Sequence, residues 1–209
     1  MYKTKSIIIT ALTLIFLTTT VNVYAGPKNT RGGSGSLSAT EIDSLQFMRE
    51  EEKLARDVYL TLYDVWNVEI FNNIASSEQQ HMDAIKSLLD KYDLDDPITD
   101  VNSIGNFDNS ALGDLYVELV ARGEGSAIEA LWVGGYIEEL DMRDIQNAID
   151  EANHADIINV YENLLKGSRN HLRAFVGKIE DEGDVYKAQE LTQDEVDVIL
   201  NSPVERGRN

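Results

Sequence analysis

The sequence predicts an all-α protein: a four-helix bundle with a long crossover between helices two and three and a short C-terminal helix. Three observations predict it. Four segments carry apolar residues at alternating steps of three and four, the spacing of one buried helix face. Serine or threonine followed three residues later by glutamate, the capping-box signature of a helix start, stands at Ser38/Glu41, Ser126/Glu129 and Thr192/Glu195. The connection from Asp93 to Gly125 is far longer than the roughly two to eight residues that join antiparallel neighbours, and can carry the chain from one end of a bundle to the other.

In chain order, Lys3 and Lys5 precede an apolar run from Ile7 to Val23 and then Val23-Tyr24-Ala25. This reads as a signal peptide, residues 1–25, cleaved after Ala25, and places the mature protein in the periplasm, at the cell surface or outside the cell. Residues 26–37, rich in Gly and Ser, read as a flexible linker; residues 38–183 as the bundle; residues 184–209 as a tail with a short helix. The first helix is expected over about 39–66, with Leu45, Met48, Glu52, Ala55, Tyr59, Leu62 and Trp66 facing inward. The second, about 68–92, turns Phe71, Ile74, Glu78, His81, Ile85, Leu88 and Tyr92 to one side. The crossover contains Pro97 and a short helical segment at about 110–121.

The third helix opens at Ser126 and runs to about 150. Its stripe is Ala127, Leu131, Gly134, Glu138, Asp141, Ile145 and Ala148; a competing, more apolar register through Val133, Ile137, Leu140 and Asp144 holds Asp141 less firmly than Glu138, and Glu139 is expected to face solvent. The fourth begins near His154 and Asp156 and continues to about 180, with Ile157, Tyr161, Leu164, Ser168, His171 and Phe175 inward. Gly167 in mid-helix costs up to about 1 kcal/mol against Ala and implies close packing or a local bulge. The last helix, from Thr192 to about Asn201, is a packing element ended by Pro203.

Without residues 1–25, which hold two lysines and no acid, about 184 residues remain with 16 basic and 37 acidic side chains, a net charge of −21. That is enough chain for one domain with its own core; no internal repeat marks a second. Such a charge disfavours nucleic acid and anionic membranes as partners. The absence of cysteine excludes disulfides, thiolate iron and iron–sulfur clusters.

An ionised carboxylate in an apolar stripe costs several kcal/mol unless its charge is compensated. Here every long helix carries an acid or imidazole mid-stripe: Glu52, Glu78, His81, Glu138, Asp141 and His171, four carboxylates and two imidazoles. Singly, each is explained as a misjudged face or a hydrogen-bonded core histidine. Jointly they point to metal, with four carboxylates able to neutralise two divalent ions. Oxygen and imidazole donors suit iron or manganese, with zinc a further possibility. Tyr59 is placed to hydrogen-bond a ligand carboxylate; His154, at a helix start, is not expected to ligate.

Glu52-Lys53-Leu54-Ala55-Arg56-Asp57-Val58-Tyr59 resembles the first-helix ligand segment of rubrerythrins, and Glu78-Gln79-Gln80-His81 their second-helix motif. Across residues 44–177 and Ser202-Pro203-Val204-Glu205-Arg206-Gly207, the chain resembles the ferritin-like family called domain of unknown function 2202. Residues 51–59, 77–82, 137–141 and 167–175 carry that match. The resemblance implies a ferritin-like four-helix bundle holding two metal ions, with Glu52 a terminal ligand, Glu78 and Glu138 bridging, His81 on one ion and His171 on the other. Ser168 stands where ferritin-like diiron proteins place a glutamate, and Asp141 is the acid that could restore the count. The implied activity is oxidation by dioxygen or peroxide, with an external electron donor and no catalytic residue beyond the ligands; a homodimer is compatible with it. The rival readings are a ferroxidase or metal-sequestering protein, and a non-catalytic cell-surface bundle with a vestigial site.

Overall fold

Among residues 36–206, which the computed structural model describes, the chain forms six helices and no strand. The predicted signal peptide, the linker up to residue 35, and Gly207 lie outside the described residues. At the start of α1 (Ala39–Trp66) both halves of the capping box form: Glu41 N–H donates to Ser38 Oγ at 3.2 Å and Ser38 N–H to Glu41 Oε2 at 3.0 Å. Asn67, in the left-handed conformation at φ 53°, ends the helix. Only Asn67 and Val68 separate it from α2 (Glu69–Lys91), so the two helices pack antiparallel.

The long connection that follows holds α3 (Ser110–Gly123), capped by Asn109. At α4 (Ala127–Glu151) only the serine half of the expected box forms, because the Glu129 carboxylate instead accepts from Arg122 Nε at 3.4 Å. Three residues lead into α5 (Ala155–Asp181), and the amides of Asn153 and His154 both donate to Glu41 Oε1, at 2.8 and 3.0 Å. One glutamate thus caps two helix starts. The last helix, α6 (Gln193–Asn201), has a complete Thr192/Glu195 box. The predicted boundaries fall within about two residues of these, the usual fraying at helix ends.

α1 packs along α2 and α4 along α5; α1 also meets α4, α2 meets α5, and α3 bridges α1 and α4. The apolar core is in two parts. One contains Val58, Leu62, Phe71, Val133, Phe175 and Ile179, the other Leu45, Met48, Ile85, Leu89, Ile145 and Ile157. The layer between them, at Glu52, Glu78, Glu138 and Ser168, is buried but polar. Among the described residues no helix is long and apolar enough to cross a membrane.

Two faces outside the predicted stripes do not meet water. The connection between α2 and α3 lies over the outer face of α1, where Arg49 pairs with Asp96, Lys53 donates to Ser103 O at 2.8 Å, Arg56 to Val101 O at 2.7 Å, and Asp57 accepts from Gly105 N–H at 3.0 Å. Glu50 accepts the amides of Asp108 and Asn109 at the start of α3, where the helix dipole favours an anion. Gly105 sits at φ 74°, and a Cβ there would lie 2.7 Å from the Tyr116 ring. On α4, Glu139 is fully buried, contrary to the expectation that it faces solvent. The C-terminal segment folds across it: Tyr186 Oη donates at 2.6 Å, and the amides of Gln189, Glu190 and Leu191 donate at 2.7–2.8 Å. Periodicity predicts one buried face, but these two helices are covered on several.

Candidate metal centre

The polar layer brings the predicted residues together from all four long helices. Two groups form, Glu52–Glu78–His81 and Glu78–Glu138–His171, each with one oxygen or nitrogen per residue within 4.8 Å of the others. Glu78 belongs to both. Its Oε2 lies 2.7 Å from His81 Nδ1, and its Oε1 2.8 Å from His171 Nδ1. Glu52 Oε2 is 3.1 Å from His81 Nδ1, and Glu138 Oε2 is 3.4 Å from His171 Nδ1. The two imidazoles stack with centroids 5.6 Å apart.

Neighbours fix these side chains. Tyr59 Oη donates to Glu138 Oε1 at 2.6 Å. His171 Nε2 meets Ser77 Oγ at 3.0 Å, so that Nδ1, which has no aligned hydrogen bond, faces the carboxylates. A histidine tied at one nitrogen and open at the other is the arrangement metal ligands adopt. Gly167 lies against His81, and a Cβ there would fall 2.5 Å from Nε2. The close packing expected of this glycine is therefore contact with an imidazole.

Asp141 is buried in the same layer but lies outside both groups, and the Ser168 hydroxyl hydrogen-bonds its carboxylate. His154 is at the far end of α5, with Nδ1 2.8 Å from Glu41 Oε1. Sequence reasoning missed Glu51. Its carboxylate is buried, and no donor reaches either oxygen. The signal was a second stripe on α1, where Glu51 is followed at steps of three, four and four by Leu54, Val58 and Leu62.

Burial and crowding decide the protonation of the cluster. Burial, with repulsion from Glu78, pushes Glu52 up to about 7 despite the opposing pull of His81. Burial and the carboxylates of Glu52, Glu138 and Glu78 push Asp141 well above its ordinary value. Glu138 is raised by burial and by Glu78, with His171 and Tyr59 working against it. Burial also opposes ionisation of Glu78, but His171 and His81 outweigh it and hold that carboxyl well below the usual range. Burial disfavours both imidazolium ions, yet the facing carboxylates raise His81 well above its usual value and His171 to about 10.

The donor set fits divalent cations. Glu52 Oε1, Asp141 Oδ1 and His171 Nδ1 are buried without a hydrogen-bond partner, whereas Lys53, Arg56 and Asp57 on the outer face of α1 are all paired. Buried polar atoms are normally satisfied, so several orphans around one point call for an explanation. An ion would satisfy them and displace protons from the raised groups.

Fold and site together define an all-helical protein with a buried carboxylate–histidine cluster at mid-bundle. The chain belongs to the family described as Uncharacterized protein domain (DUF2202), which matches residues 41–203. It is 50% identical over 173 residues to Uncharacterized protein MJ0754 of Methanocaldococcus jannaschii, covering 83% of this chain and 93% of that protein. The crystal structure of hypothetical protein MJ0754 from the same organism, there called Methanococcus jannaschii, superposes with a TM-score of 0.80 at 48% identity, covering 84% of this chain and all of that one.

Proposed function

We propose that this protein is an exported, ferritin-like diiron oxidoreductase that acts on dioxygen or peroxide. The observation that carries the reading is the pair of buried carboxylate–histidine groups sharing Glu78. The long helices and the long connection from α2 to α4 support the ferritin-like assignment; residues 1–25 support export.

Glu52 and His81 would hold one ion and His171 the other, with Glu78 and Glu138 between them. Asp141, facing Ser168, is the nearest acid that could take the place of a helix-four glutamate. An iron pair held there supplies two electrons to an oxidant. The chain's own part is positional: Tyr59 orients Glu138, Ser77 orients His171, and the two apolar clusters keep bulk water from the layer. His81 and His171 keep 12% and 11% of their side-chain surface exposed, which supports an approach for a small oxidant along the seam of α2 and α5. With no cysteine, electrons come from an outside donor.

The test is anaerobic loading with Fe(II), with bound iron measured per chain. About two per chain, largely lost in a Glu78→Ala/His81→Ala variant, followed by oxidation on adding hydrogen peroxide or dioxygen, is the expected result. No specific iron in the wild type refutes the reading. Iron that binds but is never oxidised refutes the oxidoreductase part alone.

A further inference from the structure

Glu51 is a carboxylate that the two metal groups do not use. It is 3% exposed, no N–H or hydroxyl reaches either oxygen, and the helix that carries it packs against α4. On α4, Asp141 and Asp144 are three residues apart and share a face. Asp141 is 4% exposed with Oδ1 unpartnered, while the Asp144 side chain is 22% exposed. Asp144, Asp141 and Glu52 are the neighbouring acids whose charges bear on Glu51. A string of acids therefore runs from the surface to the polar layer. At its outer end Arg143 holds Asp144, with Nε to Oδ1 at 2.9 Å and Nη2 to Oδ2 at 3.1 Å, and is itself 40% exposed.

A buried carboxylate with no donor is costly as a purely structural feature; leucine or glutamine would pack there more stably. Its position explains it. On the histidine side Gly167 packs against His81, and imidazoles are poor first contacts for a hydrated cation, whereas oxygens at graded depth can replace its water step by step.

We propose that Glu51 is a cation-transfer position, through which a divalent ion passes from Asp144 at the surface to Asp141 and the buried centre. The inference rests on the dinuclear reading and adds to it how the centre is loaded. The ion replaces Arg143 at Asp144, moves to the unpartnered oxygens of Glu51, and leaves them for the inner ligands, so Glu51 holds it during loading and not at equilibrium.

The test is stopped-flow binding of Co(II) to the metal-free protein, followed by its visible absorption, with the final stoichiometry measured by equilibrium dialysis. Glu51→Gln keeps the shape and removes the charge; its amide can donate to Asp144, so the fold is preserved, as circular dichroism would confirm. Asp144→Asn tests the outer end without touching the core, and Asp150→Asn, an exposed acid further along α4, controls for loss of net charge. Loading at least about tenfold slower in Glu51→Gln and severalfold slower in Asp144→Asn, with wild-type rate in Asp150→Asn and unchanged final stoichiometry, is expected. Wild-type rates in both string variants overturn the proposal, as does equal slowing in Asp150→Asn. Loss of an ion at equilibrium in Glu51→Gln also overturns it, by making Glu51 a permanent ligand. No Co(II) bound to the wild type would instead sink the metal centre itself.

Discussion

Replacing Gly167 by alanine separates the geometry of the centre from the stability of the fold. The new Cβ falls 2.5 Å from His81 Nε2 and 2.6 Å from Cε1, so the ring must retreat by about 1 Å to regain van der Waals distance. Alanine is the better helix former by about 1 kcal/mol and the crowding costs about 1–3 kcal/mol, leaving a net loss of about 2 kcal/mol at most. A binding constellation must be held within about 0.5 Å of its working geometry. Displacement of His81 by twice that should weaken its ion about 10–100-fold, or about 1.4–2.7 kcal/mol, while the position at His171 stays near wild type. Calorimetric titration with Co(II), run beside a thermal melt of the metal-free protein, measures both quantities. Wild-type affinity at both positions would refute the placement of His81. A melting loss above about 10 °C would show that the fold, and not the ring, absorbs the overlap.

Glu139→Leu removes the acceptor for one hydroxyl and three amides and should cost about 3–5 kcal/mol, since hydrogen bonds to a charged group contribute about 1.5–3 kcal/mol each and the three amides can partly recover water. Melting should fall by about 10 °C or more, with faster amide exchange at residues 189–191; a change within about 0.5 kcal/mol would return Glu139 to the surface. Each cation position filled at about 100 times its dissociation constant should add about 2.7 kcal/mol, visible as a rise of about 5–10 °C that a chelator reverses; a melt indifferent to Co(II) and chelator contradicts the centre. Glu41, where burial is outweighed by hydrogen bonds from the backbone and side chains of Ser38 and His154 and from the Asn153 amide, is held down to about 2. Its stabilising contribution is full above the ordinary carboxylate range and is lost as pH falls through about 2, so the gap in urea midpoint between wild type and Glu41→Gln should close from about pH 4.5 downward. A gap that stays constant over that range would rule Glu41 out as the source.

The helices were legible because local chemistry sets them: Ser38 with Glu41 and Thr192 with Glu195 form the boxes their spacing announces. Glu78 and His81 were legible for a similar reason, since residues three apart on a helix share a face whatever surrounds it. What the stripes concealed was coverage from outside. Lys53 and Asp57 sit at exposed positions of an isolated helix, and they are buried only because residues 101–105 return to α1 some fifty residues later. Glu139 was misplaced for the same reason, its donors lying beyond residue 185. Glu51 was overlooked because a run of three acids, Glu50 to Glu52, looks like a solvated face, although each of the three points to a different environment.

The division of the apolar core has a mechanical meaning. A slab of charge across the middle of a protein would ordinarily let its two ends loosen independently. Here α1, α2, α4 and α5 each contribute to both apolar clusters, so four unbroken rods run through the slab and neither end can fray far without unwinding a rod that the other also needs. An ion bound between the rods, as proposed above, would act as a rivet at their midpoint. Amide exchange in the turns on both sides should then slow together when the centre is filled, although the ion touches neither end.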